Sequence, residues 1–237
     1  MSVTGLKKEL RLNADPKRAE AAKWYFKTGP GEYGEGDHFI GISVPNLRKI
    51  AKAHQALSLA EIEALLSSKT HEERLLAVLI LVLQYRRADD YHQEEIYNFY
   101  LAHTDFINNW DIVDSSAEYI VGPFLEERDK DVLVALARSS SLWERRIAII
   151  ATFHYIREGN PEWSLKLAEL LLNDEHDLIQ KAVGWMLREI GKRCGQKILE
   201  DFLLEGGRYK SMPRTTLRYA IERLPEKKRQ AYLKGKI

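Results

Sequence analysis

Apolar positions recur at helical spacing along most of the chain, and the apolar–polar alternation of a half-buried strand is absent. Arg74–Arg87 reads RLLAVLILVLQYRR, with too many apolar positions for a helix that faces water on one side. It is expected to be buried on most faces. Trp143–Glu158, His176–Arg193 and Ser211–Leu224 carry similar helical patterns, and Gly159-Asn160-Pro161, Gly206-Gly207 and Pro225 fall between segments as breakers. Shorter helices are expected near Gly5–Leu12, Pro16–Lys27, Pro45–His54 and Leu59–Ser67.

Aligning Arg74, Asn109, Arg145, Lys181 and Arg214 gives steps of 35, 36, 36 and 33 residues. A two-helix unit repeated at this period cannot bury its apolar face alone and is completed by stacking on its neighbours. The expected fold class is therefore all-α: a HEAT-like α-solenoid of stacked antiparallel helix pairs with a concave binding face. It is expected to form one domain over 1–237. Residues 1–70 would supply N-terminal helices and a Gly-rich loop, and 71–237 five units of roughly 35 residues each. The Gly-rich stretch Thr28–Gly41 (TGPGEYGEGDHFIG) has no helical stripe and no G-K-[ST] ending. It reads as a surface connection or, alternatively, as a backbone-amide contact to phosphate.

Composition narrows the setting. With 45% hydrophobic residues in 237 the chain can bury a core without a disulfide or metal staple. Its single cysteine, Cys194, fits a reducing cytoplasm. The longest apolar run, Leu75–Leu83, is about half the ~20 residues that span a bilayer, and Met1–Leu12 lacks a signal-peptide layout. A cytoplasmic protein without membrane association is expected. The net charge of +1 conceals an asymmetry: from Ile179 onward fifteen Lys+Arg face six Asp+Glu, a net of +9, against −8 for the first 178 residues. That suits a polyanion bound by the C-terminal part, although the sign of solvated faces also drifts along ordinary chains.

Repeat register then selects candidates for chemistry. Asp114 stands where the other units place Leu79, Ile150, Met186 and Tyr219, and a carboxylate at a bulky position calls for compensation. Trp110, four residues earlier, shares its helical face, whereas Asp111 and Ser115 point elsewhere. The plainer alternative makes Ser115-x-x-Glu118 a capping box, with Asp114 a solvated residue ahead of it. Arg146 occupies the place of Trp110 in the next unit; it is a candidate to reach Asp114, or an ordinary surface arginine. Lys181, Trp185 and Arg188 share one face, which suits phosphates around a base or sugar. Trp185 could equally pack in the core, as Trp143, Trp163 and Trp24 could, and the adjacent Gly184 leaves room for a close approach. His71, His92 and His103 lack zinc-ligand spacing, and no metal or cofactor is expected.

Three stretches taken together, Asn109–Ser115 (NWDIVDS), Leu142–Arg146 (LWERR) and Ile179–Glu189 (IQKAVGWMLRE), resemble the AlkD-type DNA alkylation-repair family of HEAT-like-repeat alkylpurine DNA glycosylases. The resemblance extends over nearly the whole chain. It implies excision of N3- or N7-alkylated purines from duplex DNA by cleavage of the N-glycosidic bond, which would associate the cytoplasmic protein with the nucleoid when on DNA. A monomer is expected, because a capped solenoid can work alone. By motif position, Asp114 would be the catalytic carboxylate. Trp110, Trp185 and Tyr25 would form the lesion cleft, and Arg146, Lys181 and Arg188 would hold the DNA backbone. Asn109 stands where such proteins often carry a second aromatic, and His154 where some have a lysine. A HEAT-like protein that binds DNA without excision, and a protein-interaction scaffold, are the alternatives.

Overall fold

The computed structural model describes residues 3–237. Its only β pairing among those residues is an isolated bridge between His38 and Thr70. The chain packs as two compact units, Met1–Ile120 and Val121–Ile237. The first contains α1 (Val3–Leu12), α2 (Pro16–Tyr25), α3 (Val44–Ala53), α4 (Leu59–Leu66), α5 (His71–Tyr85), α6 (Asp90–Ala102) and α7 (Trp110–Asp114), and the boundary falls within α8 (Ala117–Phe124). The second contains α9 (Asp131–Ala137), α10 (Leu142–Ala151), α11 (Phe153–Arg157), α12 (Glu162–Leu170), α13 (Asp177–Arg193), α14 (Gln196–Leu204), α15 (Arg208–Ser211), α16 (Arg214–Ala220) and α17 (Glu226–Leu233). The expected all-α, HEAT-like class is what the helices form, and none of those described is long and apolar enough to cross a membrane.

Helix α5 organises the first unit. Leu75–Val82 are all buried, with α3 and α4 packed on the helix, as the apolar run predicts. Its first turn, His71-Glu72-Glu73-Arg74, is buried too, and four ionisable side chains in succession need partners there. Glu72 accepts from the backbone N–H groups of Ile40, Gly41 and Ile42 at 3.1, 2.6 and 3.3 Å. Glu73 pairs with Lys7 at 2.7 Å. Carboxylates in this turn also complement the positive end of the helix. The end of the Gly-rich stretch is thereby pinned. Gly41, at φ +83°, lies so close to α2 that a Cβ would fall 2.1 Å from the Asp15 carbonyl oxygen. No larger residue fits there.

Helix α13 is the centre of the second unit. Ile179, Ala182, Val183, Met186, Leu187 and Ile190 form a buried stripe at 3–4-residue spacing. Gly184 is buried, and the open approach expected of it is not what the structure shows. A Cβ there would lie 2.5 Å from Tyr219 Cβ and 2.6 Å from the Thr216 carbonyl oxygen, because α16 packs directly across it. Gly184→Ala is therefore expected to destabilise the protein by about 1–3 kcal/mol through overpacking, measured as a lower urea midpoint at unchanged slope.

Two expected helices are interrupted. Trp143–Glu158 divides into α10 and α11 at Thr152, whose buried hydroxyl donates to the Ile149 carbonyl at 2.7 Å. Thirty-six residues earlier, the buried Ser116 hydroxyl donates to Ile112 at 2.7 Å where α7 gives way to α8. A side-chain donor that occupies a helical carbonyl competes with continuation of the helix. The second expected helix, Ser211–Leu224, breaks at Pro213, which has no N–H to donate.

Side chains also correct the repeat register. Arg74, Arg145 and Gln180 each donate to a carbonyl six residues earlier, those of Ser68, Ser139 and Asp174, at 3.0, 3.1 and 2.9 Å. Gln180 rather than Lys181 is thus the equivalent residue, so Lys181 corresponds to Trp110 and Arg146.

Candidate functional site

The short helix α7 carries two of the expected site residues, Trp110 at its start and Asp114 at its end. Five residues cannot hold a helix by propensity alone, so its position depends on what grips its first turn. Asn109 is completely buried there. Its Oδ1 accepts from the Trp110 N–H at 2.8 Å, and its Nδ2 donates to Asp37 Oδ2 at 3.1 Å. A phenylalanine at this position could make neither bond. Asp111, expected on another face than Trp110 and Asp114, meets His71 Nε2 at 2.9 Å. The other imidazole nitrogen, Nδ1, lies 3.1 Å from Asp37 Oδ2, and Arg74 binds Asp37 Oδ1.

The result is a buried chain, Asp111–His71–Asp37, flanked by Arg74 and Asn109. Burial alone would lower the His71 basicity; the Asp111 carboxylate and then Asp37 outweigh it and raise the imidazole to about 9. Burial likewise acts to raise Asp37, but bonds and charges from His71, Arg74 and Asn109 hold its carboxyl below the ordinary value. His71 is therefore a cation at neutral pH, bracketed by two carboxylates.

Aromatic rings cover this network. Phe26 stacks on Phe39 at 5.0 Å and on Trp110 at 5.4 Å, and Phe39 stacks on His71 at 4.6 Å. Tyr25 meets Trp110 edge-on at 5.8 Å, so these two predicted cleft residues do come together. The rings open onto a groove of about 770 Å³, also walled by Ile42, Val44 and Pro45. Asp114, at the opposite end of α7 from the clamp, is partly exposed. Its charge reaches the fully buried Tyr100 phenol. Burial pushes that phenol up, a hydrogen bond with Ser116 opposes this, and the Asp114 carboxylate adds to it. Ser115 closes the α7 C-terminus, its backbone N–H donating to the Asp111 carbonyl at 3.1 Å.

The remaining predicted residues belong to the second unit. Trp185 is partly exposed and lies against Phe153, ring centroids 5.6 Å apart. Lys181 pairs with Asp177 at 2.6 Å on an exposed face. Arg188 is held by Glu222 and, at 3.4 Å, by Glu189. Arg146 is only 5% exposed, and its guanidinium donates to the Leu178 carbonyl at 2.6 Å, in the first turn of α13. His154 pairs with Glu126 at 3.1 Å. Trp24, a possible core residue from sequence, is 85% exposed.

Sequence reasoning missed Asp37, Phe26, Phe39 and the inward turn of Asp111, and weighed His71 only as a zinc ligand. One signal was available. HEER heading an apolar helix must turn some of its polar residues toward the core. No group of side chains among the described residues could hold a metal ion.

Residues 6–224 match the family described as DNA alkylation repair enzyme. No curated protein matches the chain. Among solved structures, a predicted DNA alkylation repair enzyme from Enterococcus faecalis superposes with a TM-score of 0.68 at 19% identity, covering 90% of this chain and 98% of its own. AlkD2 from Streptococcus mutans gives 0.53 at 18% identity, covering 93% and 96%.

Proposed function

The chain belongs to the DNA alkylation repair enzyme family, and we propose that within DNA repair it acts as a glycosylase, hydrolysing the N-glycosidic bond of N3- or N7-alkylated purines in duplex DNA. The observation that carries this reading is the α7 arrangement. A carboxylate, Asp114, stands one turn from an aromatic, Trp110, on a helix clamped by buried charge pairs and faced by Tyr25.

The chemistry needs little more. An N3- or N7-alkylated purine is already cationic and departs as a neutral base, so no acid has to protonate it. Positive charge then accumulates on the sugar as an oxocarbenium-like species, which a nearby carboxylate stabilises while it orients or deprotonates the attacking water. Asp114 is assigned that role. Trp110 and Tyr25 present aromatic faces to the cationic lesion and its sugar, an attraction of about 0.5–2 kcal/mol per contact.

The second unit is assigned to the DNA. Trp185 offers a partly exposed ring, and Lys181 and Arg188 offer charge. Lys181 can exchange Asp177 for a phosphate cheaply, because an exposed ion pair contributes only about 0–1 kcal/mol. Arg188 has two carboxylates to leave. Arg146 acts by fixing the first turn of α13 through Leu178. Lys181→Ala is expected to weaken duplex binding for all sequences alike and to reduce the log–log salt slope by about 0.9, read in a salt titration.

The test is direct: wild-type protein incubated with methylated duplex DNA should release 7-methylguanine or 3-methyladenine. Intact DNA after prolonged incubation with excess protein would falsify the glycosylase reading.

A further inference from the structure

We propose that Trp24 and Tyr25, at the C-terminal end of α2, form a ridge that holds an unstacked DNA nucleotide, its base on one side and its phosphate on the other. The inference rests on the reading of the protein as a DNA repair enzyme and extends the aromatic cleft assigned to Trp110 and Tyr25 to Trp24, Lys23 and Lys27, which the excision chemistry does not use.

Helix α2 buries none of its residues, and it ends in two consecutive exposed aromatics, Trp24 at 85% and Tyr25 at 58%. Large rings left in water forgo the burial that normally makes them worth having, and this is the signature of a binding surface. Two depressions meet at the ridge. One is the groove of about 770 Å³, lined on this side by Phe26, Phe39, Val44 and Trp110. The other, of about 570 Å³, is lined by Lys23, Lys27, Thr28, Gly29 and Glu32. An apolar aromatic slot beside a basic one matches a ligand with a flat ring at one end and an anion at the other. A nucleotide has that form.

Charge supports the choice of ligand. Residues 16–27 carry Lys17, Arg18, Lys23 and Lys27 against Glu20 alone, a net of +3 inside a stretch of 178 residues whose net is −8. This local reversal lies where the rings are exposed. The acidic groups nearby are engaged: Glu32 accepts from the Gly29 N–H at 2.9 Å, and Glu20 pairs with Lys23 at 2.8 Å across an exposed turn. That pair is readily exchanged for a phosphate. Lys27 is held at φ +51°, the only positive value among the described non-glycine residues, with its carbonyl accepting from Gly34 at 3.0 Å. That bond fixes the backbone at Lys27, where the chain leaves α2.

The experiment uses the full chain and undamaged DNA, so it reads binding independently of excision. Fluorescence of 2-aminopurine is followed in a duplex carrying it as a single-nucleotide bulge and in the fully paired duplex. Wild type should bind the bulged duplex more tightly and change the 2-aminopurine emission as a ring stacks on it. Trp24→Ala should lose roughly ten- to a hundredfold in affinity for the bulge, and most of the emission change, with paired-duplex affinity within a few fold. Lys23→Ala and Lys27→Ala should each lower the salt slope by about 0.7–0.9. Equal affinity of wild type for both duplexes, or an undiminished bulge preference in Trp24→Ala, overturns the proposal. So does retention of all DNA binding by a triple variant of these residues, which would assign the ridge to a protein partner instead. A protein that holds the bulge but releases no alkylated base loses the excision reading and keeps this one.

Discussion

Asp114→Asn is expected to reduce release of alkylated purine by about a thousandfold while duplex affinity stays within a few fold. Opposite charges ~4 Å apart at an effective dielectric near 20 attract by roughly 4 kcal/mol. If most of that attraction arises as the sugar becomes cationic, it lowers the barrier by nearly as much, which is about three decades in rate. Asparagine preserves the shape and loses the charge. The substitution is suitable because Asp114 is partly exposed and lies at the last position of α7, away from the clamp at Asn109 and Asp111. A carboxylate there gains nothing from its helix, whose C-terminal carbonyls disfavour negative charge. The measurement is single-turnover release of 7-methylguanine with protein in excess, with circular dichroism to confirm that the variant is folded. Full activity in Asp114→Asn would remove the carboxylate from the mechanism. A parallel loss of duplex affinity would make Asp114 a binding residue instead.

Much of this site was legible in the sequence because it is local. Trp110 and Asp114 are four residues apart, so helical spacing alone puts them on one face. The apolar run of α5 and the buried stripe of α13 are periodic in the same way, and periodicity survives without knowledge of the partner. What was not legible depends on pairing across long separations. His71 meets Asp37 and Asp111 over 34 and 40 residues, and Asn109 meets Asp37 over 72. No spacing rule anticipates such bonds. Asp111 was read on a helical wheel as facing away, which is true relative to Asp114 but says nothing of what lies on the other side. Gly184 was read as room for a ligand, when α16 of the same unit fills it. Ser116 and Thr152 could break their helices only because burial leaves their hydroxyls no water, and burial is a tertiary fact.

The pairing at His71 carries the second large effect, on stability. An imidazole raised from 6.5 to about 9 binds its proton more tightly in the folded chain than in the unfolded one. The difference corresponds to about 3 kcal/mol. The sign follows from linkage: that contribution is fully present below pH 6.5, declines as pH rises, and is gone once pH passes about 9. Replacing the imidazole by an amide removes the cation between Asp111 and Asp37 and leaves Arg74 as the only full positive charge on Asp37. His71→Gln is therefore expected to lower the unfolding free energy by about 3 kcal/mol at pH 6, with the gap to wild type closing between pH 6.5 and 9. Urea denaturation of both proteins across that range provides the check, and the difference between them cancels the other titrating groups. A gap that stays constant with pH would mean that His71 contributes by packing against Phe26 and Phe39 alone. A gap that closes would identify the buried charge pair as the grip on α7, since Asp111, the carboxylate bound to His71, lies one turn before Asp114 on the same five-residue helix.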